Sequence, residues 1–471
     1  MVRSSLIITG EQWSTLPSRA DCNNVGEGKV SMKRREFLKG AGVATLAAAT
    51  GAPLLLLGGC GGDSSAAPAD KLVFDYTETL ESIRAKIAHN GYRFTVGHTW
   101  VYNNDRFPGA PTAPQEINPL NNTTPAAHTE SSLLGAGALP SRYDLRNLNG
   151  HNYVGPVRDQ GDSQMCWAYS ACDAAGSTYN VKRGLYDDAC LILAPMFLKW
   201  FQRMGAGDNL VAFQGLSYLG YNGESGCCRE VDFPVSGFHN FLGASPDIPQ
   251  YLLDRAKNAE RFRFRRFGRI FPVKYADTTL QIKHAILKYG GVKAAALVTA
   301  AFAAYTSGVF EDTFVTPDQE IYYRSDSGHA IALVGWDDNP PEGGDGCWIL
   351  RNSWGESWGE GGYMRIRYHS AHVNCAAEFI EAFNPGENAI FNISGVITGA
   401  VPVEGAATLT LTGDDSFAVT PYPGTYVFNG IANGRYLVTP ACTGYTFEPK
   451  EREVIITDGD AANVDFTGTK Q

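Results

Sequence analysis

A thiol, an imidazole and an amide that could form one nucleophilic site stand far apart in this sequence. Cys166 lies in the segment 160–167 (QGDSQMCW), and His329 and Asn352 follow far downstream. A thiol is a strong nucleophile only as the thiolate, so it needs an imidazole that takes its proton and an amide carbonyl that fixes the imidazole's tautomer. A fold that uses the three groups together must bring distant parts of the chain into contact.

The length and composition predict a folded, multidomain protein. At 471 residues the chain exceeds one ordinary domain, and two to three domains are expected. Its 44% hydrophobic and 19% charged residues are typical of globular proteins, and its 52 glycines and 24 prolines favour many turns and a β-rich portion. A net charge of −10 should repel nucleic acid, so we exclude that partner. No window of about 20 apolar residues follows residue 62, so no spanning helix is expected.

The N-terminus has the pattern of an export signal. Residues 33–39 (KRREFLK) place two arginines before a mildly apolar, small-residue run at 41–59, which resembles the twin-arginine signal of bacteria. The run leads into Cys60 as LGGC, which resembles a lipobox whose cysteine is lipidated. We therefore expect a signal peptide at 32–60, a non-native upstream extension at 1–31 and a membrane anchor at Cys60. An internal helix with a chance arginine pair, or the general secretory route, are the alternatives.

An exported protein can keep disulfides, and one or two are expected here. Besides Cys60 and Cys166 the cysteines are Cys172, Cys190, Cys227, Cys228, Cys347, Cys375 and Cys442, with Cys22 upstream of the expected start. The sequence does not give their connectivity. Metal binding is a weaker interpretation, because no CxxC pair or His–Cys cluster occurs.

Residues 61–138 predict a tether, a small folded element and a linker. An amphipathic helix is expected over 77–89 and a short strand over 92–96. The stretch 104–138 is rich in Pro, Asn, Thr and Ala, which is typical of an exposed linker. Two interpretations stay open for the folded element: a cleavable pro-region, or an extension packed on the main domain.

From Leu139 onward a helix-rich half precedes a strand-rich half. A helix over 165–181 would carry Cys166 at its N-terminus, where the helix dipole lowers the pKa of a thiol. His329 and Asn352 fall in the strand-rich half. Further helices are expected at 193–203 and 279–289, and strands at 263–269, 292–298, 330–335, 348–351 and 363–367.

The run 261–267 (RFRFRRF) alternates arginine with phenylalanine. Such a pattern can stack on nucleic-acid bases. The acidity of the chain instead favours a half-buried strand with its arginines on the solvent face.

Residues 390–469 are β-branched and turn-rich. Turn signals such as those at 413–414 and 458–459 predict about seven short strands in a small sandwich. The segment resembles the carboxypeptidase-regulatory-like β-sandwich repeats of secreted bacterial proteins, which implies a spacer or a weak adhesion unit. We expect an all-β accessory domain at 387–471 that acts as a spacer.

Four ordered motifs resemble those of papain-like cysteine proteases (the C1 peptidase family). They are 139–146 (LPSRYDLR), 155–170 (GPVRDQGDSQMCWAYS), 328–336 (GHAIALVGW) and 347–363 (CWILRNSWGESWGEGGY). The resemblance covers roughly residues 139–383, and four motifs in order are far more specific than any one. It implies a papain-like two-lobed α+β fold, with a helical lobe and a β-barrel-like lobe, in a peptidase domain at 139–386.

The resemblance also implies roles for single residues. Cys166 would be the nucleophile, His329 the general base and acid, and Asn352 the amide that orients the imidazole. Gln160 would donate its side-chain NH2 to the oxyanion beside the backbone N–H of Cys166.

The implied activity is that of an exported cysteine endopeptidase acting through a thioester acyl-enzyme. Trp354 would shield the His–Asn pair from water, and Trp167 would support the nucleophile. Peptides or proteins would be the substrates, no metal or organic cofactor is needed, and a monomer in the cell envelope or outside the cell is expected. The alternatives are a catalytically silent papain-fold surface binding protein and acyl transfer to an amine.

The sequence departs from the family pattern beside the nucleophile. Residues 163–165 (SQM) replace the first three of C-G-[SA]-C, so one family disulfide is lost and the cleft wall is expected to change. The glycine pair that binds substrate backbone in the family is only partly recognisable at 223–228. The chain between the thiol and the imidazole is longer than the family's about 130–150 residues, so insertions are expected near 203–260 and 337–346.

Overall fold

The computed structural model describes residues 73–75, 77–103, 139–161, 163–205, 212–234, 248–270, 278–312, 328–374, 377–384, 390–399, 407–414, 416–419 and 424–471. All of them belong to one compact unit. The expected upstream extension, the signal peptide with Cys60 and the linker at 104–138 lie outside these residues. Within the described ranges, no helix is both long and apolar enough to cross a membrane.

One described helix is much longer than the others. The helices are α1 Leu80–Asn90, α2 Trp100–Asn103, α3 Cys166–Arg183, α4 Pro195–Trp200, α5 Ala212–Leu216, α6 Gln250–Asn258, α7 Thr279–Tyr289 and α8 Ala300–Ala303, with 3₁₀ turns at Leu145–Asn147, Asp187–Ala189, Glu230–Asp232 and Ser370–His372. α3 ends where Gly184 takes a left-handed φ of 64°, which glycine adopts without strain. The helices predicted over 165–181 and 279–289 are confirmed. The helix predicted over 193–203 is shorter, beginning at Pro195 and ending at Trp200.

The described strands form three sheets. The strands are β1 Phe94–Val96, β2 Arg142–Asp144, β3 Arg266–Ile270, β4 Val292–Leu297, β5 Tyr305–Phe310, β6 Gly328–Asp337, β7 Cys347–Arg351, β8 Tyr363–Arg367, β9 Ala377–Glu381, β10 Phe391–Gly399, β11 Thr408–Gly413, β12 Phe417–Val419, β13 Thr425–Ile431, β14 Gly434–Ala441, β15 Tyr445–Glu448, β16 Arg452–Ile456 and β17 Phe466–Lys470. The first nine make one sheet in the order β1-β5-β8-β7-β6-β4-β9-β3, with β2 paired to β6.

Strand β6 lies between the two lobes of the main domain. It pairs antiparallel with β4 on one side and β7 on the other. Successive side chains of a strand point to opposite faces, and here Ala330 and Ala332 join the core of the helical lobe while Ile331 and Leu333 join the core of the strand lobe. Both faces are therefore covered, and α3 packs on the face with the small alanines.

The N-terminal segment 73–103 packs on the strand lobe. β1 extends the large sheet by pairing antiparallel with β5, and the rings of Phe94 and Phe310 lie 4.9 Å apart. Helix α1 buries Leu80 and Ile83 in the same core. The described part of this segment is thus continuous with the main domain.

The C-terminal region is a sandwich of two four-stranded sheets, in the orders β13-β10-β17-β15 and β12-β11-β14-β16. Alternate residues such as Leu409 and Leu411 point into a separate core. The sequence predicted about seven strands, and the described residues contain eight. The predicted fold class, an α+β domain followed by a small all-β sandwich, is confirmed.

The sandwich is docked on the helical lobe. Arg265 Nε donates to the Gly430 carbonyl at 2.5 Å, and Tyr218 Oη donates to Asn392 Oδ1 at 3.1 Å. Gly430 has a φ of 71°, and a Cβ placed on it would lie 2.7 Å from the Arg265 carbonyl oxygen. This close approach requires glycine.

The prediction that the arginines of 261–267 face solvent is wrong for two of them. Arg265 and Arg266 are each 4% exposed, whereas Arg263 is exposed. Both buried arginines pair with Glu381, at 3.6 Å and 2.5 Å. These arginines are buried because parts of the chain distant in sequence cover them. β9 supplies the Glu381 carboxylate, and the C-terminal sandwich contacts Arg265 through the Gly430 carbonyl.

None of the seven described cysteines forms a disulfide. Burial, together with the neighbouring thiols of Cys172 and Cys228, raises the pKa of Cys227. The expected bridges therefore do not occur among these residues, and Cys375 and Cys60 lie outside the described ranges.

Candidate active site

Cys166 is the first residue of α3 and is 2% exposed. The first turn of α3 carries no acidic side chain, so the partial positive charge of the helix N-terminus favours a thiolate there without an opposing carboxylate. Of the residues that precede it, Gln164 is exposed and Met165 belongs to the helical-lobe core. The bulk of Met165 is therefore accommodated in that core.

His329 and Asn352 lie on neighbouring strands and form a hydrogen bond. His329 is the second residue of β6, and Asn352 follows β7 directly. Nε2 of His329 is 2.7 Å from Oδ1 of Asn352, which also accepts from the Ser353 N–H at 2.8 Å. Because Oδ1 can only accept, Nε2 carries the hydrogen and Nδ1 is the acceptor nitrogen of the neutral ring. Nδ1 is buried and has no hydrogen-bond partner among the described residues.

Trp354 covers the imidazole. The Trp354 ring is stacked on His329 with centroids 4.6 Å apart and planes inclined by 24°. The rings of Phe302 and Trp358 meet the Trp354 ring edge-on, with centroids 5.9 and 5.0 Å away. Burial lowers the pKa of His329 to about 4, with the hydrogen bond to Asn352 acting in the opposite direction. The buried imidazole ring is therefore neutral at pH 7.

The side chain of Gln160 is held by two serines. Its Oε1 accepts from the Ser353 hydroxyl at 2.5 Å, and its Nε2 donates to the Ser163 carbonyl at 2.7 Å. The Ser163 hydroxyl in turn donates to the Gln160 carbonyl at 2.6 Å. An amide NH2 has two hydrogens, and the Ser163 carbonyl accepts one of those of Gln160.

The segments that carry Gln160 and Asn352 run side by side. The Gln160 N–H donates to the Ser353 carbonyl at 2.8 Å, and the Gly355 N–H donates to the Arg158 carbonyl at 3.1 Å. Hydrogen bonds thus join His329, Asn352, Ser353 and Gln160 in one buried region, and α3, which begins with Cys166, packs on the strand that carries His329. Such a set can take a proton from a nucleophile and stabilise an oxyanion.

Comparison with known proteins shows that part of the chain is similar to one family. The family model described as papain family cysteine protease matches residues 227–382, which contain His329, Asn352 and Trp354. This part of the chain is similar to papain-family cysteine proteases. Cys166 and Gln160 precede the matched residues.

Cathepsins are among the curated proteins to which the chain is similar. The chain is 29% identical to "Pro-cathepsin H" of Mus musculus over 247 residues, which are 51% of this chain and 64% of that protein. It is 29% identical to "Viral cathepsin" of Heliothis zea nuclear polyhedrosis virus over 235 residues, 49% of this chain and 53% of that protein. The chain therefore spans between about half and two-thirds of these relatives. Among solved structures, the proform of the Amb a 11 cysteine protease, a ragweed pollen allergen, aligns with a TM-score of 0.46 and 18% identity, covering 64% of this chain and 86% of that one.

Two contacts of these site residues were not predicted from the sequence. The first is the Ser353 hydroxyl on Gln160, for which the serine directly after Asn352 was an available signal. The second comes from the N-terminal segment, where Trp100 Nε1 donates to the Trp354 carbonyl at 2.9 Å. No local pattern connects Trp100 with a residue so far along the chain.

Proposed function

We propose that this protein is an exported cysteine endopeptidase that hydrolyses peptide bonds through Cys166, His329 and Asn352. The observation that carries the proposal is the His329–Asn352 hydrogen bond beneath Trp354. It fixes the tautomer in which Nδ1 is the proton acceptor, and α3, which begins with Cys166, packs on the strand that carries His329.

The proposed reaction has two halves. The Cys166 proton moves to Nδ1 of His329 as the sulfur attacks the peptide carbonyl, and the oxyanion is stabilised by the Cys166 N–H and the Gln160 amide. The imidazolium then protonates the leaving amine as the C–N bond breaks, which leaves a thioester. Water attacks the thioester with His329 as base, and proton return to sulfur releases the acid.

The buried imidazole sets a condition on this reaction. Burial holds the pKa of His329 at about 4, so the ring is a poor proton acceptor while it is buried. Opening of the site to substrate hydrates the ring, and a thiolate beside Nδ1 stabilises the imidazolium, so both raise this pKa. We infer that access to the cleft and activation of the thiol occur together.

The test is labelling with an epoxide thiol inhibitor, read by intact mass. Wild type and Cys172→Ala should gain one inhibitor and cleave a peptide library at internal bonds, whereas Cys166→Ala should do neither. Cys172 is a matched control, because it lies on the same helix and is 1% exposed. Both the intact chain and a chain cut within 104–138 are assayed, since Cys166 is 2% exposed.

The outcomes separate the candidate functions. A wild type that neither labels nor cleaves in either form contradicts the proposal, and peptide binding without labelling would indicate the silent binding protein. A product that carries an added amine would identify acyl transfer. Release of terminal residues alone would indicate exo-action.

Localisation and the accessory domain complete the proposal. The signal-like segment 32–60 would direct export, with lipidation at Cys60 anchoring a monomer to the cell envelope, and the C-terminal sandwich would serve as a spacer of the carboxypeptidase-regulatory-like type. Metabolic labelling with a fatty-acid analogue tests the anchor, and Cys60→Ala should abolish the label.

A further inference from the structure

A buried carboxylate between two guanidinium groups joins three segments of the main domain. Asp173 Oδ1 lies 2.5 Å from Arg158 Nη2 and 3.1 Å from Arg351 Nη2. The three side chains are 5%, 7% and 1% exposed. A second carboxylate, that of Glu230, lies 3.4 Å from Arg158 Nη1. Asp173 therefore binds both cations through one oxygen, and we call this group the Arg158–Asp173–Arg351 cluster.

Asp173 shares a helix face with the proposed nucleophile. It lies seven residues after Cys166 on α3, and at about 3.6 residues per turn this separation is about two turns, which returns to nearly the same face. Tyr169, between them on that face, has its ring 5.2 Å from the Arg158 guanidinium. A contact at Asp173 therefore constrains the rotation of the face that presents the sulfur.

The two arginines stand on the segments that hold the other proposed groups. Arg158 is two residues before Gln160, and Arg351 immediately precedes Asn352. These two segments are joined to each other by backbone hydrogen bonds. The Asp173 carboxylate ties α3 to both of them.

The arginines are themselves anchored to the main chain. Arg158 Nη1 donates to the Leu193 carbonyl at 2.7 Å, and Arg351 Nη1 donates to the Val154 carbonyl at 2.5 Å. Each guanidinium is thus held at more than one of its donors, and Asp173 meets a fixed pair of cations. The pair therefore gives α3 a fixed point of contact at Asp173.

We propose that Asp173 is a positioning residue for the thiol. By binding Arg158 and Arg351 at one oxygen, it sets the rotation and axial position of α3 and so the place of the Cys166 sulfur relative to the imidazole and the oxyanion donors. The inference rests on the proposed function. A misplacement of reacting groups by about 1 Å can cost on the order of 100-fold in rate.

The charges determine how this can be tested. Removing Asp173 alone leaves two buried cations without their carboxylate, which is strongly destabilising, whereas replacing a whole buried ionic group by apolar residues of similar size is often tolerated. Glu230 is 30% exposed and can remain in water. The test variant is therefore the triple substitution Arg158→Met, Asp173→Leu and Arg351→Met.

The expected result is a loss of chemistry without a matching loss of fold or binding. We expect kcat to fall about 10- to 100-fold, KM to change little, and iodoacetamide to alkylate Cys166 more slowly. The chain should remain folded by circular dichroism. A purely structural cluster would change the melting temperature and leave kcat and the alkylation rate as in the wild type.

The chain contains a matched control. Glu378 lies between Lys293 at 2.5 Å and Arg269 at 2.9 Å, and all three side chains are 2–3% exposed. The corresponding triple substitution Arg269→Met, Glu378→Leu and Lys293→Met should perturb stability comparably and leave kcat unchanged. Equal loss of kcat in both triple variants would overturn the positioning role.

Two further measurements keep the test decisive. If the first triple variant does not fold, the single variant Arg351→Met is measured in its place, because it leaves the Arg158–Asp173 pair intact. A folded Arg351→Met protein with wild-type kcat and alkylation rate overturns the proposal. A folded Arg351→Met protein with reduced kcat supports it. If the wild type neither cleaves peptides nor takes the epoxide, the proposed function has failed. The relative alkylation rates still report the position of the thiol in that case.

Discussion

Protonation of His329 should make the main domain less stable in acid. Burial holds its pKa at about 4 in the folded protein, whereas an unfolded histidine has a pKa of about 6.5. Between these values the unfolded chain binds a proton that the folded chain does not. Stability from this group is therefore complete above about pH 6.5 and is lost as pH falls towards 4. At 1.36 kcal/mol per pKa unit, the loss is about 3 kcal/mol.

The assay is chemical unfolding at pH 7, 6, 5 and 4, comparing wild type with His329→Gln. The glutamine side chain can still donate to Asn352 Oδ1 but does not titrate. The contributions of the other ionisable groups therefore cancel in the difference between the unfolding free energies of the two proteins. Tryptophan fluorescence follows the correct domain, because no tryptophan occurs after Trp358 and the sandwich begins beyond it. The wild type should lose about 3 kcal/mol relative to the variant between pH 7 and pH 4.

Nitrogen-15 chemical shifts of the imidazole give a direct second reading. The resonances of His329, assigned by their absence in His329→Gln, should stay those of the Nε2–H tautomer down to a pH near 4. Parallel stability curves for the two proteins, or a ring that titrates near 6.5, would refute the reasoning that burial beneath Trp354 controls this group.

Two other predictions concern the site and the domain contact. Ser353→Ala removes the hydroxyl that donates to Oε1 of Gln160. Loss of this hydrogen bond to a buried amide costs about 1–2 kcal/mol, so kcat should fall by about 5- to 30-fold while the circular dichroism spectrum is unchanged. A variant with wild-type kcat would show that this hydroxyl does not hold Gln160. Gly430→Ala should destabilise the sandwich by about 1–2 kcal/mol, because alanine is strained at a left-handed φ. It should also speed hydrogen exchange around Arg265, because the added Cβ meets the Arg265 carbonyl. Gly444→Ala is its control, since Gly444 also has a positive φ but nothing within 4 Å, and equal exchange in the two variants would contradict a docking role for Gly430.

Local sequence predicted those features whose causes are local. The residues of 165–181 and 279–289 sufficed to predict α3 and α7, and with α3 the position of Cys166 at a helix start. In both cases the determining side chains are near neighbours in the chain. The pairing of His329 with Asn352 is not local, and it was expected because the motifs around the two residues resemble those of papain-like cysteine proteases.

Features that depend on distant partners were missed. Arg265 and Arg266 were expected in solvent because nothing within 261–267 indicates a carboxylate on β9 or a carbonyl at Gly430. The disulfides expected from an exported chain do not occur among the described cysteines, because bridge formation depends on which thiols the fold brings together. The contact of Trp100 with the Trp354 carbonyl belongs to the same class.

The N-terminal segment has a consequence for any cut of the chain within 104–138. β1 is a strand of the sheet that contains β6, Trp100 donates a hydrogen bond to the carbonyl of Trp354, and α1 contributes to the core of the strand lobe. A cut within 104–138 would therefore produce a two-chain protein whose halves stay associated through non-covalent contacts. If Cys60 carries the lipid, the pairing of β1 with β5 would then keep the half that contains Cys166 and His329 at the membrane after its peptide connection had been severed.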